Sequence, residues 1–421
     1  MRKLAGGERD AEVGFGRFLA NPKVTLERLI EGWSERTRSA VAGRHVLAIQ
    51  DTSEIHFSTR RGHRRGLGEV GKGNAHGLLA HVMAAVDAEN GQSLGLVTGS
   101  IYNREGRARI AHAQRARKDK ESKRWAETAR KAKSILSDAA TITIMSDREG
   151  DIFEDWASVP GANVHLLIRM MHDRGVGGGG TASKVIADWP FMATRVVDLA
   201  ATPGREARQA SLSLRFGQIE IRRPHGKGLG HLPKTVTLRV VEAMEREPPV
   251  GVEAIHWRLL TTHAVDEAAT AWRIVDWYRR RWIIEQLFRL MKSQGLRLED
   301  SQLESAEALM KLTAIAARAA CAVLQLVQAR DGGDEPASIA FTPHQIEVLD
   351  HLNQKKQETT ALRKNPHPRH SLSWASWIIA RLGGWNGYPS AKPPGPITMR
   401  NGLEYFQIFA NGWARRDVCI P

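Results

Sequence analysis

The chain has 421 residues, with 61 Lys plus Arg against 46 Asp plus Glu and a formal net charge of +15. That length allows two or three domains with proper cores, and a chain this basic most often meets a polyanion, nucleic acid first, with a basic housekeeping enzyme as the alternative. Its two cysteines, Cys321 and Cys419, make neither a disulfide framework nor a zinc set, no run of 18 or more apolar residues is present, and the N-terminus lacks the apolar region of a secretory signal; these features point to a reducing cytosol and predict no membrane span.

The first predicted element is a helix entered at Thr25, with Leu26, Leu29, Ile30 and Trp33 on one face. HVLAIQD, 45–51, reads as a buried strand ending in Asp51, an acid that could also be a turn former. From 60 to 77, Gly and cations crowd together without periodicity, which predicts a loop whose charges suit phosphates or solvent. Two strands follow within 78–103, joined at Asn90-Gly91, a hairpin signal. A basic segment, 104–133, carries Trp125 and turns helical through Ile135. TITIMSDREGDIF, 141–153, reads as a strand that delivers Asp147, with Glu149 and Asp151 close behind in mainly structural roles. Asp151 could also cap the next helix. NVHLLIRM, 163–170, is a further strand and carries Arg169.

Beyond residue 171 the pattern changes. The glycine run at 175–180 lacks the Lys-Ser/Thr ending of a phosphate loop and reads as a linker. The stretches 208–223 and 234–244 alternate apolar and polar residues, as half-buried antiparallel strands do, and IHWRLLTT, 255–262, closes the set with Trp257. The stretch 272–294 has no Gly or Pro and predicts one long helix. On it Tyr278, Arg281, Glu285 and Lys292 fall within an arc of about 60°. Ile283, Ile284, Leu287, Leu290 and Met291 project from the other side, toward a core. Charge pairs for solubility would explain the cations but not a phenol and a lone carboxylate among them. Such a strip suits a metal ion beside a phosphate backbone. An Ala- and Leu-rich helix is predicted at 303–328, a boundary at 331–334, and helices at 341–362 and 371–381. The tail, 385–421, is rich in Gly, Pro and aromatics, and no element is assigned to it.

The spacing of Tyr278, Arg281, Glu285 and Lys292 resembles the YREK signature of the insertion-sequence-four family of bacterial DDE transposases, to which the transposase of transposon five belongs. Asp51, followed by Thr52, matches the family's first metal-binding Asp, and Asp147-Arg148-Glu149-Gly150-Asp151 matches its Asp-Arg-Glu-x-Asp motif. The stretch 210–215 resembles the family's insertion domain. Trp257, 21 residues before Tyr278, stands where the family has a Trp that stacks on a flipped base. Arg169 falls where the family has an Arg near that base and the transferred strand's phosphate.

The resemblance implies an α/β fold: a ribonuclease H-like catalytic core (mixed sheet flanked by helices) with a β-rich insertion and a helical C-terminal domain. The expected domains are 1–43, an incomplete helical end-binding arm; 44–170 and 263–330, the core; 171–262, the insertion; and 331–421, a helical dimerisation region and tail. It further implies catalysis and metal binding by Asp51, Asp147 and Glu285, with two Mg²⁺ or Mn²⁺ ions as cofactors. DNA contacts are implied for Tyr278, Arg281, Lys292, Arg169, Trp257 and Trp282. The activity expected is cut-and-paste transposition: nicking, hairpin formation, reopening and strand transfer. Its partners would be double-stranded DNA, as transposon ends and target, and a second protomer in the DNA complex, in the bacterial cytoplasm at the nucleoid and with no membrane. Two other functions fit the same sequence. One is an N-terminally shortened, non-catalytic DNA-binding or inhibitory form; the other is a stand-alone ribonuclease H-like nuclease.

Overall fold

The computed structural model describes residues 9–58, 65–71, 75–104, 123–199, 206–225, 229–355, 364–388 and 390–414. The chain divides into a first unit (Met1–Ala42, Thr52–Ile110 and Ile283–Pro421) and a second (Gly43–Asp51 and Ala111–Trp282). An unpredicted helix, α1 (Arg9–Ala20), comes first; Val13, Phe15 and Phe18 on it are exposed, so it shows no clean core stripe in sequence. The carbonyls of Leu19 and Asn21 at its end accept hydrogen bonds from the buried Lys311 ammonium, at 2.9 and 3.4 Å. The predicted helix is α2 (Leu26–Glu31), and the Thr25 hydroxyl caps it by accepting from the Arg28 N–H. A 3₁₀ turn, Gly32–Ser34, and a short α3 (Thr37–Ala40) follow.

Strand β1 (His45–His56) is driven by Val46, Leu47, Ala48 and Ile49, all fully buried. Burying each larger side chain contributes about 1.5–3 kcal/mol. The strand was expected to end at Asp51, yet it runs on to His56; only the buried run stops there, and Thr52 and Ile55 keep the backbone extended. A two-residue strand, β2 (Gly68–Glu69), lies within the stretch predicted as loop, of which 60–64 and 72–74 are outside the described residues. β3 (His76–Asp87) and β4 (Ser93–Tyr102) form the predicted antiparallel hairpin, with Gly91 at φ +79° in its turn. β3 is buried along its whole length and neighbours β2 and β1 in strand order.

The second unit supplies α4 (Lys123–Ile135), β5 (Thr141–Ser146), α5 (Phe153–Ser158), β6 (Val164–Arg169), α6 (Ala182–Ala187), β7 (Ala193–Leu199), β8 (Arg208–Arg222), β9 (Thr235–Glu245), β10 (His256–Thr261) and α7 (Ala268–Arg279). Residues 105–122 of the basic segment lie outside the described residues. Strand order here is β1-β5-β6-β10-β9-β8-β7. β1, β5 and β6 are parallel, and each later neighbour is antiparallel. The β-rich stretch therefore extends the sheet of β5 and β6 through β10. With β3 and β4 antiparallel, and β1 common to both sets, these are the strands of a ribonuclease H-like α/β fold with a large mixed sheet flanked by helices.

Near the starts of the parallel strands three imidazoles meet. Thr143 Oγ1 on β5 lies 2.8 Å from His45 Nε2 and 2.7 Å from His263 Nε2. His165 on β6 stacks on His263 at 3.9 Å, and Trp277 on α7 covers His45 and His263 at 4.6 and 5.2 Å.

The first unit resumes at Ile283, within α8 (Trp282–Arg289), which passes into a π-helical turn, Leu290–Gln294. The single helix expected over 272–294 is thus three pieces, with Arg280 and Arg281 forming a turn between α7 and α8. Helix propensity favours continuation there; tertiary packing overrides it. α9 (Ala306–Ala329), capped by Ser305, is long and apolar enough to cross a membrane by length and composition, although no unbroken apolar run flags it in the sequence. Of its apolar window 61 % is buried in the fold, where it packs on β4, α2 and the two helices α11 (Leu372–Leu382) and α12 (Pro396–Ala414) that follow α10 (Pro343–Lys355). That is the position of a core helix. Trp33 Nε1 donates to Ala314 O on it at 3.0 Å. Of the helix predicted at 341–362, residues 356–362 are outside the described residues, as is 415–421 of the tail. α12 occupies 396–414 of that tail, beginning at Pro396, where a missing N–H costs a helix nothing.

Candidate active site

Strand register brings the candidate residues of the second unit together. Ile49 on β1 pairs with Met145 on β5, and two residues further along each strand come Asp51 and Asp147. Ser146 pairs with Ile168 on β6, so the next residues, Asp147 and Arg169, also share a level. Adjacent strands lie about 4.8 Å apart, so two acids and a guanidinium emerge side by side where three parallel strands leave the buried core. β5 ends in a 3₁₀ turn, Arg148–Gly150, and the Asp147 carboxylate caps it by accepting from the Glu149 N–H at 2.9 Å. The turn requires glycine at its close: a Cβ on Gly150 would lie 1.9 Å from Ser146 Oγ.

β10 pairs with β6 through Leu259 opposite Arg169, and the Arg169 guanidinium donates to His256 O at 2.9 Å. Two residues before Leu259 is Trp257, whose ring meets the buried Tyr278 edge-on at 6.0 Å. Arg281 follows the end of α7; its N–H donates to Tyr278 O at 3.0 Å, and its Nη1 lies 3.2 Å from Asp51 Oδ2. Both partners are mostly buried, with side chains 13 % and 16 % exposed. The guanidinium also sits 5.6 Å from the ring centre of Trp282, which is 49 % exposed.

The groups feel one another's charge. Burial lowers the Arg169 pKa, Arg148 and Arg281 lower it further, and Tyr278 and Asp147 oppose the shift. Burial raises the Tyr278 pKa, with Asp147 adding to the rise while Arg281 and Arg169 work against it.

Glu285 and Lys292 belong to the first unit. Glu285 stands partly exposed on α8, above the buried Ile283, Ile284 and Leu287. Lys292 lies in the π-helical turn, where burial lowers its pKa against the pull of Glu299 and Glu54. Among the described residues no three His, Cys, Asp or Glu side chains are gathered as a metal-ion site. In donor chemistry Asp51, Asp147 and Glu285 fit a hard divalent cation, which takes carboxylate oxygens.

Over residues 51–322, more than half of its length, the sequence matches the family of the transposase DDE domain. The chain belongs to the DDE transposases. The matched span begins at Asp51 and includes Asp147 and Glu285. The chain is also similar to a piggyBac transposase whose synaptic complex with hairpin DNA was solved by cryo-electron microscopy, with a TM-score of 0.38 and 8 % identity. That match covers 91 % of this chain and 57 % of the other, so the chain spans less than two thirds of that protein's length.

Two carboxylates of the second unit have a different character. Asp151 does not cap α5, whose cap position is Ile152. Instead it accepts from Trp156 Nε1 and from the N–H groups of Met171 and His172, and it pairs with Arg174 at 2.9 Å. This bears out its structural assignment. Glu242 on β9 is held by Arg215 on β8 and by His256 and Arg258 on β10, at 2.8 and 2.5 Å for the latter two. Those hydrogen bonds bring its pKa down to about 2 against the cost of burial. Sequence reasoning missed this cluster. Its signal was a lone acid inside the apolar run Val240, Val241, Ala243. Arg148, which repels Arg169, was quoted only as part of the Asp-Arg-Glu-x-Asp motif.

Proposed function

We propose that the chain is a DNA transposase of the insertion-sequence-four type, similar to that of transposon five, which cleaves and joins phosphodiester bonds at insertion-sequence ends by a metal-dependent cut-and-paste route. The observation that carries the reading is the DDE-domain match over residues 51–322, together with the YREK spacing inside it. On this reading Asp51, Asp147 and Glu285 hold Mg²⁺ or Mn²⁺. Such ions, when bound, neutralise charge on the attacking and leaving oxygens of an in-line displacement. Arg169 and Arg281 grip phosphate oxygens, Arg281 as a two-pronged donor. Lys292 adds a point charge. Tyr278 supplies an apolar wall and a hydroxyl, and Trp257, ring against ring with Tyr278, offers a stacking face to a base turned out of the helix. Trp282, exposed beside Arg281, is a further contact to DNA.

The sequence segments take matching roles: 44–170 and 263–330 as the catalytic core, 171–262 as the insertion, 1–43 as an end-binding arm and 331–421 as the pairing region of a dimer on DNA. The setting is a bacterial cytoplasm. The test is Mg²⁺- or Mn²⁺-dependent nicking of DNA, followed by hairpin and joint formation, which distinguishes a transposase from a simple nuclease. Glu285→Ala abolishes nicking and leaves DNA binding intact; unchanged nicking in that variant removes the assignment. One observation favours a second reading, a DNA-binding form that does not cut: the Asp51 carboxylate is already engaged by Arg281. That form binds DNA with a steep salt dependence, does not cleave it, and lowers the activity of a longer partner on mixing.

A further inference from the structure

Strand β10 is held in two ways along its length. Leu259, Leu260 and Thr261 are fully buried, whereas His256, Trp257 and Arg258 are not. Apolar packing therefore fixes the second half of the strand and leaves the half that carries Trp257 to other forces. Those forces converge on Glu242. In register it stands directly opposite Arg258 on β10 and opposite Arg215 on β8, with His256 on the diagonal. Its carboxylate accepts from all three side chains. Arg215 donates further to the carbonyls of Ala187 and Trp189 at the end of α6, at 2.8 and 3.3 Å, so the far side of the cluster is tied down as well.

The two β10 residues that Glu242 holds are the neighbours of Trp257 on either side. Side chains alternate along a strand, so Trp257 leaves the opposite face of the sheet, where its ring meets Tyr278. The backbone of the same two neighbours is engaged too. His256 O accepts from the Arg169 guanidinium at 2.9 Å, and Arg258 O accepts from the Met170 N–H at 2.8 Å. A buried ionic cluster adds little net stability, because desolvation offsets the attraction. What this one adds is a fixed place for the tripeptide 256–258.

We propose that Glu242 is a positioning residue for base capture: by clamping His256 and Arg258 on one face of the sheet, it sets the Trp257 ring against Tyr278 on the other and keeps the Arg169 guanidinium beside it. The inference rests on the stacking role proposed for Trp257. The Glu242 side chain has no exposed surface, so it acts on DNA only through the residues it holds.

The experiment uses the full-length chain and a forked DNA duplex whose unpaired terminal base is 2-aminopurine, without divalent cation so that no strand is cut. Stacking on an indole quenches the fluorescence of that base, and excess protein keeps all the DNA bound. Trp257→Ala should lose the quenching. Glu242→Gln, which removes the charge and keeps the shape, should lower the ratio of stacked to unstacked base by about fivefold or more. Its DNA affinity should be retained, since affinity comes chiefly from phosphate contacts. Arg258→Leu should match Glu242→Gln, and Arg258→Lys, which restores the charge, should recover part of the quenching. A role confined to stability would leave quenching intact in any variant that is still folded. Thermal melting identifies a Glu242→Gln chain that has failed to fold, and the Arg258 pair then carries the test. If Trp257→Ala loses the quenching while every folded clamp variant keeps it, the clamp is wrong and the stacking role stands. If the unaltered chain does not quench the base, or Trp257→Ala quenches it equally, the stacking role falls and the clamp with it.

Discussion

Two sets of carboxylates in the same unit behave differently, and the contrast separates architecture from chemistry. Glu242 has a side chain with no exposure and three hydrogen-bonding partners, Arg215, His256 and Arg258, on its two neighbouring strands. Asp151 is equally enclosed and saturated by N–H donors. Asp51 and Asp147 sit instead at the margin of burial, where parallel strands leave the core; Arg281 lies against the first, and the Glu149 N–H donates to the second. A saturated buried acid cannot accept a new ligand without losing several bonds at once. A marginal one can trade partners. Where carboxylates occur together, the depth of their burial therefore indicates which ones are available for a reaction.

The contrast can be broken most forcefully at Glu242. Replacing it with Ala strands two guanidinium groups around a buried gap and should cost about 3–5 kcal/mol of stability, read by chemical denaturation of the full chain. A loss under about 1 kcal/mol would mean that the cluster is no more than a surface ion pair. Asp147→Asn probes the opposite class. Nicking should fall by more than about a hundredfold while stability shifts by less than about 1 kcal/mol. A large stability loss with nicking retained would move Asp147 into the architectural group.

A pH series sharpens the comparison with a third kind of group. Burial lowers the His263 pKa to about 3, with His165 and His45 adding to the shift. Its unfolded value is about 6.5, so the unfolded chain binds the proton first, and stability is lost as pH falls below that value. The Glu242 contribution lies lower, between its unfolded value of about 4.5 and its folded value of about 2. Melting between pH 7.5 and 5 therefore reads the histidines alone, and the midpoint should fall across that range. His263→Phe should flatten the slope, and an unchanged slope would assign it elsewhere. The smallest effect is expected at Trp282→Ala, within about 0.5 kcal/mol in stability because the ring is half exposed, with DNA affinity reduced; unchanged DNA affinity would remove this ring from the contact set.

Much of this was legible in the sequence because the signals were local. The buried run of β1, the Asn90-Gly91 hairpin, Asp147 at a strand end and the apolar back of α8 all follow from short-range pattern. What escaped depends on distant partners. Nothing near Arg280 announces a helix break; the interruption is set by packing that propensity does not see. Asp51 looked like a strand terminus because its buried run stops there, while pairing carries the backbone on to His56. α1 and β7 were missed because exposed apolar residues such as Phe15 and Val196 blur their periodicity. The partners of Glu242 lie 27, 14 and 16 residues away on two other strands, beyond any motif.

The Thr143 hydroxyl has one hydrogen and lies within bonding distance of two imidazole nitrogens, His45 Nε2 and His263 Nε2. Only one of those nitrogens can receive that hydrogen, so the other must carry its own proton and point it at the oxygen. At least one ring is thereby fixed as its Nε2–H tautomer, and a strand-borne threonine dictates the protonation pattern of a histidine more than a hundred residues away or of its neighbour on β1. Replacing that hydroxyl with a methyl group, as Thr143→Val does, would release both rings to choose their tautomers independently, a change that nitrogen-15 chemical shifts of the two imidazoles would register directly.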